Sequence, residues 1–543
     1  MTSNWYKDSI IYGIDVKLYQ DSDDNGFGDF KGLTSRLDYL HELGINTIWL
    51  MPFFSSPLRD YGYDVADFFG IDQRLGNTDD FLNFIEACEK KRIRVIIDLV
   101  INHTSIEHPW FIQAKTDRKS PYRDYYIWRD ERPENEQKQV MFEGVEDSVW
   151  AYVPQTKSFY LHSYYMEQAD LNIVNPKVKQ EIFKIIKYWL NLGVSGFRID
   201  AAHALTEVYA DSDTELDNLY HFLNEIREYT NKIDPDAILL AEADVLPGDV
   251  SNYFGEGDRM HMLFNFFSNQ YTFLALARKS GAALEKGLEL TKGIHCKHHL
   301  NFIRHHDELN INQLTKAEQK EVLEAFAPED KMRVYNEGGI KRQLAPMMKG
   351  DLQKIKLTYV SIFSLPGSPL IHFGEEIGMG EDLERNLRAA VRIPMQWDDS
   401  IHGGFSKAAL EKINHAPLSE GDYSYQHVNV AKQKKDTDSI LNFFTNLIKI
   451  RKACPEIGHG EYEILSLGND KLLAIYYKWE ASRLLVICNY SSTKEKGSLE
   501  KHFEDENFLD ILSDSEYKKP TKSVDINAYG YRWIKVVDHH KII

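Results

Sequence analysis

The chain has 543 residues, of which 43% are hydrophobic and 27% charged, a mix that buries large cores and excludes a disordered polymer. At about 150 residues per domain the length predicts three to four domains. The net charge of −19 excludes a nucleic-acid partner and an anionic membrane surface, since both require a basic face.

The first stretch alternates short apolar runs with amphipathic segments. Residues 9–15 (SIIYGID) read as a strand, 33–43 as a helix stopped by Gly44, and 46–51 (NTIWLM) as a second strand. Residues 78–91 read as a helix with a Thr/Asp start, and 94–100 (RVIIDLV) as a buried parallel strand. From about 102 to 170 the rhythm stops, and Tyr, Trp, Pro, Asp and Arg dominate. This reads as an inserted, loop-rich domain.

The alternation then resumes. A helix over 176–192 precedes a strand at 196–201, a helix at 215–230, and strands at 237–243 and 301–305; a helix near 353–363 precedes a strand at 368–373. After a helix at 438–453 come strands at 464–467, 472–478, 484–489 and 531–537. The pattern predicts an α/β fold: a (β/α)8 TIM barrel over 1–101 and 171–454, with an inserted subdomain near 309–350. The loop-rich domain B spans 102–170, and an all-β sandwich domain spans 455–543. A doubly wound sheet competes less well, because no glycine-rich phosphate loop follows the first strand.

No run of about 18 apolar residues is present, so no membrane helix is expected. The N-terminus (MTSNWYK) shows no basic-then-apolar leader. The cysteines, Cys88, Cys296, Cys454 and Cys488, are scattered without a C-x-x-C pair, which points to a reducing cytoplasm.

In such a barrel the chemistry sits at the C-terminal ends of the strands. Asp98, Asn102 and His103 lie at one end (DLVINH), Arg198 and Asp200 at the next (GFRID), Glu242 at the next (LLAEAD), and His306 and Asp307 after a later strand (FIRHHDE). One such carboxylate is equally well a helix N-cap. Three from separate strands, flanked by Arg and His, are hard to explain structurally.

These four segments, in order, resemble the signature regions of glycoside hydrolase family 13, the α-amylase family. SPLRDYGYDVADF, SPYRDYYIW, QADLN, APEDKMRVYNEGGIKRQLAP and RIPMQW further resemble its trehalose synthase (maltose α-D-glucosyltransferase) branch. The resemblance implies a retaining α-glucosyl enzyme with Asp200 as nucleophile, Glu242 as acid/base and Asp307 stabilising an oxocarbenium-like transition state. Arg198 is expected to keep Asp200 ionised, and Glu242 to sit near apolar or anionic groups that keep it protonated. His103, His306 and Gln168 are implied sugar ligands. Tyr63 and Asp64, with Arg392, match residues closing the donor pocket, an Asp64–Arg392 pair binding the terminal glucose.

Alternate oxygen side chains in Asp21, Asp23, Asn25 and Asp29, with Phe27 and two glycines, suit a hard cation. They resemble the first-loop cation site of related α-glucosidases. The resemblance implies calcium at one or two structural sites, with magnesium an alternative at the first loop. The second site would use Asn102, Asp170 and Glu207 with main-chain oxygens of Ala204 and Leu205. His295, Cys296, His298 and His299 match no zinc spacing.

The chain also departs from the branch. His305 stands for an expected Asn, Asp244 for Asn, Gln139 for Arg, and His203 for Pro, while Glu308, the partner of that missing Arg, is kept. Losing an Arg–Glu gate on the acceptor side would favour water or another acceptor. Two readings follow: isomerisation of maltose to trehalose through a glucosyl-aspartate, or an exo-acting α-glucosidase or transglucosylase. A non-catalytic carbohydrate-binding relative is disfavoured by the intact carboxylates. The expected partner is a small sugar such as maltose or trehalose; a homo-oligomer is left open.

Overall fold

The computed structural model describes residues 4–133, 140–142, 144–207, 220–293, 296–504 and 506–538. Eight parallel strands close a barrel in chain order: β1 (Ile11–Ile14), β2 (Thr47–Leu50), β3 (Arg94–Leu99), β4 (Gly196–Ile199), β5 (Ile238–Ala241), β6 (Met262–Phe264), β7 (His299–Asn301) and β8 (Ser368–His372). β8 pairs back onto β1, with Ile11 opposite Leu370. Ile11, Trp49, Ile96, Leu240, Met262, Phe264, Leu300 and Leu370 fill the interior as one buried cluster. Alternation along each strand sends the intervening side chains outward against the helices.

The expected barrel is present, with two differences in detail. β6 is only three residues long, too short for a periodicity to register. β7 ends at Asn301, not near 305 as the apolar run suggested. Asn301 is pinned sideways, accepting from Asn265 Nδ2 at 2.8 Å and donating to Pro366 O at 2.9 Å, so Phe302 onward leaves the barrel wall and forms the loop that carries His305–Asp307.

The outer helices follow from their caps. Thr78–Lys90 opens with a capping box between Asn77 and Asp80, and Pro176–Asn191 with Asn175 and a proline in its first turn. Between β3 and β4 the chain forms an antiparallel three-stranded sheet (Trp128–Arg129, Trp150–Val153, Ser158–Leu161). It also forms a short ladder in which His103 pairs with Asp170 and Ser105 with Gln168. That ladder brings both ends of the insertion to the barrel mouth. After β7, the strands Leu309–Asn310, Arg333–Val334 and Gly339–Ile340 make a second small sheet beside it.

Among the described residues the C-terminal part has seven strands. Five form one sheet: Glu461–Ile464, Leu472–Trp479, Ser482–Asn489, Tyr531–Asp538 and Glu506–Ser513, in that spatial order. Glu495–Ser498 and Ser523–Ile526 form a separate pair, and a core of Leu485, Ile487, Val524 and Ile534 lies among them. The sheet docks on helix Leu352–Ser364: Trp533 Nε1 donates to Ser364 Oγ at 3.0 Å and Tyr490 OH to Ser361 Oγ at 2.8 Å.

Candidate active site

Strand register builds the site's floor. Arg198 on β4 lies opposite Asp98 on β3, and both point inward above Trp49 and Phe264. Arg198 Nη1 then lies 3.2 Å from Asp98 Oδ2 and 2.6 Å from Asp200 Oδ1, and its Nη2 lies 2.5 Å from Glu242 Oε1. One buried guanidinium thus serves three carboxylates. Asp98 is further fixed by Trp49 Nε1 at 2.8 Å and Tyr63 OH at 2.8 Å. Directly after Asp200, Ala201 adopts a left-handed backbone (φ 46°), and its N–H donates to Glu242 Oε2 at 3.2 Å. Backbone strain of this kind costs on the order of 1–3 kcal/mol and persists only where the surroundings enforce it.

The electrostatics correct one expectation. Arg198 does not act for Asp200 alone: burial pushes the Asp200 carboxyl well above its ordinary range, Glu242, Asp98 and Asp307 push the same way, and Arg198 opposes them. Burial likewise raises Asp98 to about 6, against the pull of Arg198. One cation faces three carboxylates, so Arg198 offsets only part of the crowding around Asp200. Glu242 sits against Arg198 and beside the anionic neighbours Asp200 and Asp244.

Asp307 is held in the opposite sense. Burial works to raise it, yet Arg388, His306, Arg392 and His305 hold it well below the ordinary carboxylate range. Arg392 Nη2 reaches Asp307 Oδ1 at 2.8 Å and Arg388 Nε at 3.2 Å. His306 stacks on Tyr63 (5.4 Å between ring centres, 9° between planes), its Nε2 lying 2.7 Å from the Tyr63 hydroxyl. Burial drives His306 well below its ordinary value and His103 down to about 4. His103 Nε2 lies 3.1 Å from Tyr63 O.

Asp200, Glu242, Asp307, Tyr63, His103 and Gln168 all line one cavity of about 380 Å³. Such a cavity suits a small polar ligand. The expected Asp64–Arg392 pair is not formed. Asp64 is fully buried and accepts from Ser56 Oγ (2.9 Å) and from the backbone N–H groups of Arg59 and Asp60 (both 3.1 Å), so it shapes the turn. Asp60 lines the cavity instead, accepting from Gln168 Nε2 at 2.9 Å and facing the charges of Arg388 and Arg392. Asp60 was missed because the turn SPLRDYGYD offers two aspartates, and only the fold shows which one faces inward.

The gate expectation also changes. Gln139 lies outside the described residues, but Glu308 keeps a cationic partner: Arg388 Nε is 2.9 Å from its Oε2. Arg388 comes from the segment after β8, four residues before Arg392. Asp244 lines the cavity and accepts from Asn310 Nδ2 at 2.5 Å and from Gln313; burial raises it to about 7. His305 Nδ1 accepts from Asp307 N at 2.9 Å, and His203 lies beside Tyr164 OH at 3.4 Å.

At the first loop, Asp21, Asp23 and Asp29 bring carboxylate oxygens within 4.8 Å of one another. Asn25 shapes the same turn, accepting from Phe27 N at 2.8 Å and donating to Arg74 O at 3.0 Å. At the other candidate metal position, Asn102 Nδ2 lies 3.4 Å from Asp170 Oδ1, and Ser163 donates to both oxygens of Asp170. Ala204 and Leu205 open the short helix Ala204–Glu207; the side chain of Glu207 lies outside the described residues.

The catalytic-domain family model for alpha amylase matches residues 14–460. Over 493 residues the chain is 38% identical to a trehalose synthase of Thermus thermophilus, covering 90% of this chain and 50% of that one, so it spans about half the length of that relative. It is 38% identical over 475 residues to a trehalose synthase/amylase of Mycobacterium tuberculosis, covering 87% and 79% of the two chains. An oligo-1,6-glucosidase of Bacillus cereus is 28% identical over 554 residues, covering 91% and 92%. Among solved structures, the trehalose-6-phosphate hydrolase of Bacillus licheniformis superposes with a TM-score of 0.79 at 24% identity over 98% of this chain and 100% of that one, a likeness of fold. On the barrel, the four strand-end segments and these matches, the chain belongs to the α-amylase family, glycoside hydrolase family 13.

Proposed function

We propose that the protein is a retaining α-glucosyl enzyme that isomerises maltose to trehalose. The observation that carries this reading is Arg198 bridging Asp200 and Glu242 at the mouth of a closed barrel, beside Asp307 held ionised by two arginines. An Asp200 oxygen attacks the anomeric carbon while Glu242 gives its proton to the glycosidic oxygen, and glucose departs. Glu242 then takes the proton from the anomeric hydroxyl of that glucose, whose oxygen displaces Asp200 and forms the α,α-1,1 bond. Two displacements retain the configuration. The developing positive charge on the ring is met by Asp307. The 38% identity to a trehalose synthase and to a trehalose synthase/amylase supports trehalose as the product.

A second reading ends the same glucosyl-enzyme in water or another acceptor, as an α-glucosidase or transglucosylase. It is supported by the likeness to an oligo-1,6-glucosidase across 91% of the chain. Incubation with maltose, trehalose and sucrose separately, followed by chromatography, decides between them. Trehalose from maltose supports the first reading; glucose alone from maltose supports the second; no turnover of any of the three sinks both.

We also infer a structural calcium at the first loop, with magnesium as the competitor. The residues fit a hard cation, since the donors are all oxygen: Asp21, Asp23, Asp29, the Asn25 amide and the Phe27 main chain. Asn102 and Asp170, with main-chain oxygens of Ala204 and Leu205 and with Glu207, would hold a second. Asp170 is buried, and Ser163 and Asn102 donate to it. Asp23→Ala tests the first site, because Asp23 is exposed and caps no helix, so it adds little stability by itself. Its thermal midpoint should fall in calcium and match the native protein in chelator; equal losses in both buffers would rule the site out. Buried free Cys88, Cys454 and Cys488 support a reducing cytoplasm as its compartment. No helix among the described residues is long and apolar enough to cross a membrane.

A further inference from the structure

Six carboxylates among the described residues wall the cavity: Asp60, Asp200, Glu242, Asp244, Asp307 and Glu308. Arginines stand against five of them. Arg198 meets Asp200 at 2.6 Å and Glu242 at 2.5 Å, Arg388 meets Asp307 at 3.2 Å and Glu308 at 2.9 Å, and Asp60 faces the charges of Arg388 and Arg392. Asp244 is treated differently. Its partners among the described residues are side-chain amides, Asn310 Nδ2 on its Oδ2 at 2.5 Å and Gln313 Nε2 on its Oδ1, and no arginine or lysine among those residues acts on it. Burial, with Glu242 and Glu308 pushing the same way, raises it to about 7. A buried anion placed like this gains from any cation that reaches it.

The two amides are themselves held. Gln313 Nε2 also donates to Val245 O at 3.1 Å, the Gln313 backbone N–H donates to Gln270 Oε1 at 3.0 Å, and Asn310 Oδ1 accepts from Asn312 N at 2.8 Å. The Asp244 carboxylate is therefore fixed in direction. Its place relative to the reacting bond follows from Glu242. The N–H of Ala201, directly after Asp200, reaches Glu242 Oε2 at 3.2 Å from the donor side. Asp244 lies two residues beyond Glu242 and feels the charges of Glu242 and Glu308 rather than those of Asp200 or Asp307. Asp244, Asn310 and Gln313 thus form the wall that faces the leaving and re-attacking sugar.

We propose that Asp244 makes this wall selective for an acceptor sugar that carries a protonated amine, so that glucosyl-Asp200 passes its glucose to an amino sugar more readily than to glucose. The inference rests on the glucosyl-transfer reading above and adds the chemical class of the acceptor. The bond changes are those written for glucose. Glu242 takes the proton of the acceptor's anomeric hydroxyl, that oxygen bonds the anomeric carbon, and the Asp200 oxygen leaves as carboxylate. The ammonium is a spectator of these changes. On the carbon next to the anomeric one it sits beside the oxygen that Glu242 serves, and it brings the cation that Asp244 lacks, as a charge-assisted donor. The asparagine expected here from the trehalose synthase resemblance carries no charge, so the preference belongs to this chain.

The test gives the enzyme maltose together with equal amounts of glucosamine and isotope-labelled glucose. Mass spectrometry reads the ratio of amino disaccharide to labelled trehalose. In the native enzyme this ratio should exceed one. Asp244→Asn keeps the size of the side chain and removes its charge, and should lower the ratio by about tenfold or more, the scale of a lost hydrogen bond between charged groups. If Asp244→Asn fails to fold, Asp244→Ser carries the same readout. A native ratio below one, or an unchanged ratio in the folded variant, overturns the proposal. A native enzyme that transfers no glucosyl group to either sugar overturns the functional reading instead. Calorimetric titration of glucosamine and of glucose into the native and Asp244→Asn proteins then judges Asp244 alone. Glucosamine bound about tenfold more tightly by the native protein than by the variant, with glucose bound alike by both, upholds its role; glucosamine bound alike by both ends it.

Discussion

The two ends of the cavity are built on different principles. The inner, donor end is a rigid set of barrel side chains: Arg198, Asp98 and Trp49 point inward from adjacent strands and are locked by register, stacking and hydrogen bonds of 2.6–3.2 Å. The outer end is made of loops and insertions, and its contacts are aromatic faces, one bridging arginine and amide–carboxylate bonds such as Asn310–Asp244. Breaking a glycosidic bond needs groups placed to within a fraction of an ångström, which strands supply. Choosing what leaves and what re-attacks needs a surface that evolution can alter without moving those groups, which loops supply.

The largest effect that follows concerns the inner end. Asp200→Asn removes the attacking oxygen's charge and should cut turnover of maltose by about four orders of magnitude or more. The same change relieves crowding of three carboxylates around Arg198, so its thermal midpoint should equal or exceed that of the native protein. Calorimetry beside a turnover assay checks both. An active Asp200→Asn protein would dissolve the contrast between the two ends.

A smaller effect separates the neighbouring aspartates of the SPLRDYGYD turn. Asp60→Asn should raise KM by roughly tenfold to a hundredfold, since a sugar hydroxyl at the cavity wall would lose a charged acceptor. Asp64→Ala should leave KM nearer the native value and lower stability by about 1–3 kcal/mol, because Ser56 and two backbone N–H groups lose their acceptor. The reverse pattern, with KM rising for Asp64→Ala alone, would return the donor clamp to Asp64.

This pair also shows how far the sequence was legible. The barrel and the strand-end residues Arg198, Asp200, Glu242 and Asp307 could be read, because an inward residue at the end of a parallel strand has few places to go. Six of the eight barrel strands carry an apolar run long enough to recognise; β6 and β7, three residues each, do not, and the run read at 301–305 meets β7 only at Asn301. In the C-terminal sheets, Glu495–Ser498, Glu506–Ser513 and Ser523–Ile526 escaped notice because their exposed faces carry charge and they lack a continuous apolar run. Asp60 and Arg388 were invisible for another reason. Each sits in an irregular segment where side-chain direction depends on turn geometry and on partners from distant parts of the chain, such as Gln168 and Glu308.

A further effect, read as a slope against pH, lies beneath the inner end, where the loop bearing His305–Asp307 is anchored. Arg304 Nη2 donates to Asp307 O at 2.6 Å, and its backbone N–H donates to Glu375 Oε1 at 3.2 Å; Tyr359 OH and His372 N complete the Glu375 shell at 3.1 and 2.8 Å. Burial pushes the Glu375 carboxyl up to about 8, well above the ordinary glutamate value of about 4.3. A group whose folded form holds its proton more tightly than the unfolded chain favours folding fully below about pH 4.3, and that contribution fades as pH rises through about 8. Native stability should therefore decline across that window, by no more than about 1.4 kcal/mol per pH unit from this group. Glutamine cannot titrate, so Glu375→Gln should lose this slope even though one of its donors then meets an amide N–H. The native-minus-variant difference in thermal midpoint should shrink or change sign between pH 5 and pH 8; two curves that stay parallel would mean Glu375 is ionised in the folded protein and the anchor is an ordinary charged cap.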